Sequence, residues 1–236
     1  MSDSIREQII QAVIARLAVI TTANGFNTGI GATVERARKM LDPDDLPAAV
    51  VWPKSEAPAR EYGKGMLAMP IQIDGMALYG SVNMSVVAEQ MLADIIEAMQ
   101  GIVWSLAYTS GGTTEIEAGN AISGHTSTAT ALVQTVTLDS GTWAGGDAAG
   151  TLTLRQVSGT FQAENLDVGS TENAASIAGA PTGTDPVNTV TGDLADSIAY
   201  AGGGVDEYPD AGDQAVGVQT QWILRYRIAA GDPYHQ

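Results

Sequence analysis

His125 and His235 are the two imidazoles of a 236-residue chain that contains no cysteine. A histidine becomes a general base only when a second group orients its ring, and neither of these stands in a recognisable triad context. Thiolate nucleophiles, thiolate metal sites and disulfides are ruled out by composition. Serine is abundant, but no G-x-S-x-G elbow occurs. The run Gly202-Gly203-Gly204 lacks the Gly-Lys-Ser/Thr ending that brings a cation to bound phosphates. These residues predict no catalytic centre and no cofactor.

Two acidic groups carry oxygens of the kind that calcium takes: Asp42 with Asp44 and Asp45, and Asp206 with Glu207, Asp210 and Asp213. Neither spacing fits the twelve-residue loop with its closing glutamate, so helix caps and solvated turns are the expected roles and no metal site is predicted. Trp52, Trp104 and Trp222 fall in apolar runs and are expected in the core. Trp143 stands in a glycine-rich turn, where it either fills a small β core or offers an exposed contact. The methionine pairs Met66/Met69 and Met91/Met99 read as core filler. Arg36, Arg38 and Lys39 form a basic cluster, and Arg225 and Arg227 lie on a late alternating strand. These five are the candidate protein-interface residues, with a solvated helix face as the plain alternative for the cluster.

Charge narrows the choice of partner. With 27 acidic and 11 basic residues the net charge is −16, which opposes nucleic-acid binding, because affinity for a phosphate backbone comes largely from Lys and Arg displacing counterions. From Ser110 to Gly217 there are 14 acidic residues and one basic, Arg155; the remainder holds 13 and 10. The run Ile9 to Ile20 is broken by Gln11 and Arg16, unlike a signal peptide. No stretch approaches the roughly 18 apolar residues of a membrane span. A soluble, cytosolically folded protein with no membrane partner is expected.

The elements that must position these residues follow from periodicity. Ile5, Ile9, Val13 and Leu17 recur at fours, predicting an amphipathic helix from Ser4 to Leu17 capped by Asp3 or Ser4. Val87, Met91, Ile95 and Met99 predict a second helix over 84–99, with Glu89, Asp94 and Glu97 outside its apolar stripe and Gly101 as a left-handed cap. Ala48–Trp52, Met66–Ile73, Ile102–Tyr108 and Gln219–Ile228 read as strands. Between 110 and 217 the composition turns to Gly, Thr, Ala and Ser, with β-like runs at 131–138 and 150–157. The economical account is an α+β core of residues 1–109 and 218–236, with an all-β, glycine-rich and acidic domain at 110–217 inserted between neighbouring strands.

That order of elements resembles the tail-terminator and tail-completion (neck) proteins of long-tailed bacteriophages. The resemblance rests on the N-terminal helix, AVVW (Ala49 to Trp52), MPIQID (Met69 to Asp74), VVAEQMLADIIEAM (Val86 to Met99) and QWILRYRIAAGDPY (Gln221 to Tyr234). The block from Ser140 to Gly169 looks like small β modules of phage structural proteins, and Ile198 to Asp213 resembles the segment before the closing strand in neck and tail proteins.

The resemblance implies a mixed or antiparallel sheet flanked by two helices. It also implies a non-enzymatic virion protein, assembled in the host cytoplasm, whose copies form a ring, usually a hexamer. Such a ring caps the head-proximal end of the tail tube, stops tube growth and meets the head-completion and connector proteins. Two other readings stay open: a tail-tube or head-completion subunit, and a module that binds carbohydrate or a host surface through the β insertion and Trp143.

Overall fold

The computed structural model describes residues 3–38, 41, 43–58, 65–78, 80, 82–112, 114–207, 215–229 and 231–236. The chain divides into two units. Unit 1 comprises residues 1–21, 27–100 and 186–236, and unit 2 comprises 22–26 and 101–185. Elements are numbered along the whole chain.

Unit 1 starts with α1 (Ile5–Leu17), where the Ser4 side chain caps the first turn by accepting from the Glu7 N–H. Ile5, Ile9, Ile10, Val13 and Leu17 are buried along one stripe, as the four-residue spacing demands. Its sheet is made from β1 (Val34–Arg36), β2 (Ala48–Pro53), β3 (Ala57–Pro58), β4 (Gly65–Leu78), β12 (Ser197–Glu207) and β13 (Ala215–Ile228), in the order β1-β2-β4-β13-β12 with β3 also on β4. β1 runs parallel to β2 and the other pairings are antiparallel.

The centre of that sheet is the β4–β13 pair, in register from Gly65 opposite Ile228 to Leu78 opposite Ala215. Met69, Ile71 and Ile73 are buried opposite Leu224, Trp222 and Thr220, and the residues between them are half-exposed, the period-2 pattern of a sheet covered on one face. β4 runs past the expected end at Ile73 to Leu78, through the buried Gly75. A Cβ there would lie 3.3 Å from the Cδ1 atoms of Ile30 and Ile95, which pack onto the strand. The covering layer contains α2 (Met84–Gln100) against β4, β12 and β13, α1 against β1 and β2, and the short α3 (Pro186–Thr191) against both helices.

α2 carries a buried carboxylate where the sequence pattern placed a solvated one. Asp94 is 0% exposed. Its Oδ1 accepts from the Asn27 N–H at 3.2 Å and the Asn27 amide at 2.8 Å, and its Oδ2 accepts from the Thr28 N–H and hydroxyl, both at 2.7 Å. Four donors satisfy a charge that burial would otherwise penalise. At the far end of α2 Gly101 does not take a left-handed conformation. Instead the Arg16 Nε of α1 donates to the Ala98 carbonyl at 2.8 Å, a cation placed on the negative end of the helix dipole.

Unit 2 is all β apart from the short turn at Thr22–Asn24. Its strands are β5 (Val103–Gly111), β6 (Ala121–Gly124), β7 (Thr130–Ser140), β8 (Ala148–Ser158), β9 (Glu164–Val168), β10 (Thr171–Ile177) and β11 (Thr182–Thr184). The antiparallel ladder runs β10-β9-β6-β7-β8-β5, and β10 also pairs with β5 at Tyr108 and Thr109, so six strands close on themselves as a small barrel. β11 adds to β5 at Val103–Ser105. Leu106, Tyr108, Val133, Leu152, Leu154 and Leu166 are among the buried residues of its core.

The expected fold class is corrected by this architecture. Strand makes up 47% and helix 21%, with thirteen strands and three α-helices among the described residues, so the protein is mostly β with two separate sheets. Nor is the first sheet flanked by helices: α1, α2 and α3 touch one another in one layer. The helical periods are real but short, whereas β4 and β13 run to 14 residues each and the weakly patterned Gly/Thr/Ala segment forms seven strands. β5, grouped from sequence with the first body, pairs in the barrel, and β12 pairs in the sheet of unit 1.

Candidate functional site

Among the described residues the sheet of unit 1 is open, and its two edges hold the features from which an interaction site can be built. β1 forms one edge. Arg36 at its end donates through Nη1 to both carboxylate oxygens of Glu7, at 2.7 and 2.9 Å. These hydrogen bonds from Arg36 hold the Glu7 carboxyl below its usual range. Arg38 bridges Glu35 at 3.0 Å and Asp45 at 2.9 Å. The two arginine side chains remain 40% and 41% exposed, so these are surface pairs worth about 0–1 kcal/mol each. Lys39 lies outside the described residues.

β12 forms the opposite edge. Among the described residues it pairs with β13 alone, with register shifts between Tyr200 and Gly202 and between Val205 and Glu207. From Ser197 to Val205 it contains no charge and no proline. Edge strands are commonly blunted by charge, by proline or by bulges, and here only the bulges are present. The first uninterrupted stretch, Ser197–Tyr200, directly follows Asp196, whose Oδ2 pairs with the Arg227 Nε at 3.1 Å.

The four candidate interface residues that are described therefore do not form one patch. Arg36 and Arg38 sit at the β1 edge, while Arg225 and Arg227 lie on β13, three strands away and next to the β12 edge. Arg225 is exposed on the face away from the helices, with half-buried Ile223, Gln221 and Gln219 beside it. On that face Gln221 and Gln72 are opposite one another, and their side chains bond along their own strands to Gln219 at 3.0 Å and Asp74 at 2.8 Å.

Residues weighed for chemistry lie elsewhere. His125 Nδ1 is 3.0 Å from Asp167, and this hydrogen bond raises its pKa; His235 Nδ1 is 2.6 Å from Asp232. Glu164 accepts from the Thr126 and Ser127 N–H groups at 2.7 and 2.8 Å, from the Ser127 hydroxyl at 2.5 Å and from the Gln162 N–H at 3.2 Å. Burial alone would raise its pKa, but those donors hold it at about 2. It clamps the turn between β6 and β7, and no sequence signal pointed to it.

Trp143 is only 8% exposed and stacks on Tyr108, with centroids 5.3 Å apart and planes 10° from parallel. Its ring fills the barrel core instead of offering a surface for a sugar. Of the acidic groups, Asp45 is committed to Arg38, while Asp42, Asp210, Asp213 and the side chains of Asp206 and Glu207 lie outside the described residues. Among the described residues no three histidine, aspartate or glutamate side chains gather as a metal site, and no helix is long and apolar enough to cross a membrane.

No protein-family model matches the chain, and no curated protein matches it either.

Charge is distributed differently between the units than along the sequence. Asp193, Asp196, Asp206, Glu207, Asp210 and Asp213 belong to unit 1, which holds 19 acidic and 10 basic residues for a net of −9; unit 2 holds 8 and 1 for a net of −7. Both units are acidic, so copies of the chain repel one another at long range.

Proposed function

We propose that the protein is a structural subunit of a long-tailed bacteriophage virion, whose copies close into a ring on the head-proximal end of the tail tube. The ring ends tube growth and presents a surface to head-completion proteins, a role in binding and not in catalysis. One observation carries the reading. The five segments that resemble tail-terminator proteins, four before residue 101 and one after residue 185, come together in unit 1, where AVVW on β2, MPIQID on β4 and QWILRYRI on β13 are consecutive neighbours beneath α1 and α2. The open sheet supports it further, because a heterologous contact between unlike edges of one subunit generates a ring when the rotation closes.

The test is light scattering and negative-stain microscopy of the purified protein, alone and with polymerising tail-tube protein. Closed rings of one size that halt tube growth are the expected result. Open tubes formed by the protein alone would assign it to the tube, and a persistent monomer that leaves tube growth unchanged would remove the reading.

A further inference from the structure

We propose that β12 of one copy pairs with β1 of the next, continuing the unit 1 sheet from subunit to subunit. The proposal rests on the ring reading above and specifies its contact.

Polarity comes first. β1 and β2 point one way, β4 the other, β13 back again and β12 opposite to β13. Setting β12 beside the β1 of a second copy therefore makes an antiparallel pair, the arrangement of every other pairing in this sheet except β1–β2. Length agrees: β1 is three residues, Val34–Arg36, and the unbroken start of β12 is four, Ser197–Tyr200.

Register and charge then converge. Glu35 pairs with Val50, which is opposite Asp74, so it lies on the face away from the helices; Ser197 and Ala199, opposite Arg225 and Ile223, share that face. A continuous pleat puts Glu35 across from Ser197 or from Ala199. The first register sets Asp196 across from Arg36, the last residue of β1; the second carries it past the end of the strand, where Ala37 takes φ +52° before Arg38. The first register therefore places the acid preceding β12 against an arginine of β1. The intramolecular pairs that these groups now make are exposed and are exchanged at little cost. The barrel offers no comparable site, because closure removes its edges apart from the three-residue β11.

The absence of native cysteine makes the contact directly readable. Variants carrying Glu35→Cys together with Ser197→Cys or Ala199→Cys are oxidised and run on non-reducing gels. Within one copy the two edges lie four strand spacings apart, about 19 Å, so a disulfide between them can only join two molecules. A ladder of covalent multimers in one double variant, absent from each single variant, is the expected result. Dimers from Ser197→Cys or Ala199→Cys alone would show β12 meeting β12 and overturn the proposal.

A second pair of variants guards against a misplaced cysteine. Asp196→Arg and the double change Arg36→Asp with Arg38→Asp are each expected to lose assembly, and their equimolar mixture to regain it, because every contact in an alternating ring then joins opposite charges. If wild-type protein forms rings but neither cross-linking nor charge exchange registers, this contact is wrong while the ring reading stands. If wild-type protein is monomeric, the ring reading fails and takes the contact with it.

Discussion

The guanidinium of Arg155 lies 4.3 Å from the centre of the Phe26 ring and donates to the carbonyl of Gly25. Arg155 belongs to β8, whereas Phe26 and Gly25 come from a five-residue segment, 22–26, that leaves the first part of the chain to join the barrel and then returns. Gly25 has φ +75°, and a Cβ on it would lie 3.0 Å from the Gly119 backbone, so the approach is possible only for glycine. Residues 101–185 are thus an incomplete folding unit on their own.

Phe26→Ala removes a buried ring, 4% exposed, and leaves Arg155 without its stacking partner. A loss of about 3–5 kcal/mol, the usual range for Phe→Ala in a core, is expected in urea denaturation of unit 2. A fragment of residues 101–185 should melt well below the same residues in the full chain. Equal midpoints would show that the segment contributes nothing.

Asp94→Ala deprives four donors of their acceptor in a fully buried position. The expected cost is about 3–5 kcal/mol, the range for breaking a buried charged network from one side. Asp94→Asn keeps one carbonyl acceptor and should lose less. Urea midpoints that fail to rank wild type above Asn above Ala would contradict this account.

How much of this was legible in the sequence depends on how local each signal is. The α1 and α2 stripes were readable because burial repeats within one element, and the strands at 131–138 and 150–157 because short β-like runs there are bounded by turn clusters. Asp94 was misread for the same reason: its partners, Asn27 and Thr28, stand 67 and 66 residues away, and nothing near α2 announces them. The 22–26 segment is an ordinary Asn-Gly turn until Arg155 meets it from 130 residues downstream. Barrel closure rests on Tyr108 and Thr109 pairing with Ile177 and Ser176, a long-range fact with no local pattern. The arginines nominated as an interface were visible by type, but their separation onto different strands is a property of sheet order alone.

Acid should loosen the turn of unit 2 that Glu164 holds. The Glu164 carboxyl is held at about 2 against an ordinary 4.5, so the folded state binds its proton less readily than the unfolded chain. The stabilisation is fully present above pH 4.5 and is lost as pH falls from there through 2. Thermal melts of wild type and Glu164→Gln between pH 2 and 7 should differ most near neutrality and converge toward pH 2. A gap that stays constant with pH would show that the carboxylate charge plays no part.

Trp143→Ala should act as a core mutation. Loss of the ring stacked on Tyr108 is expected to lower stability by about 3–5 kcal/mol. Trp143→Phe, which keeps a ring on Tyr108, should lose less. Measurement by chemical denaturation separates this from a surface role, in which both variants would melt like wild type.

The pairing of Val103 with Thr184 joins the strand by which the chain arrives in the barrel to the strand by which it departs. The polypeptide spends over eighty residues there and comes back within one strand spacing, about 5 Å, of its starting point. A host body sees such a guest as little more than a hairpin tip. A module of another length can therefore be spliced between Val103 and Thr184 without changing the distance its two ends must span, provided that 22–26 changes with it.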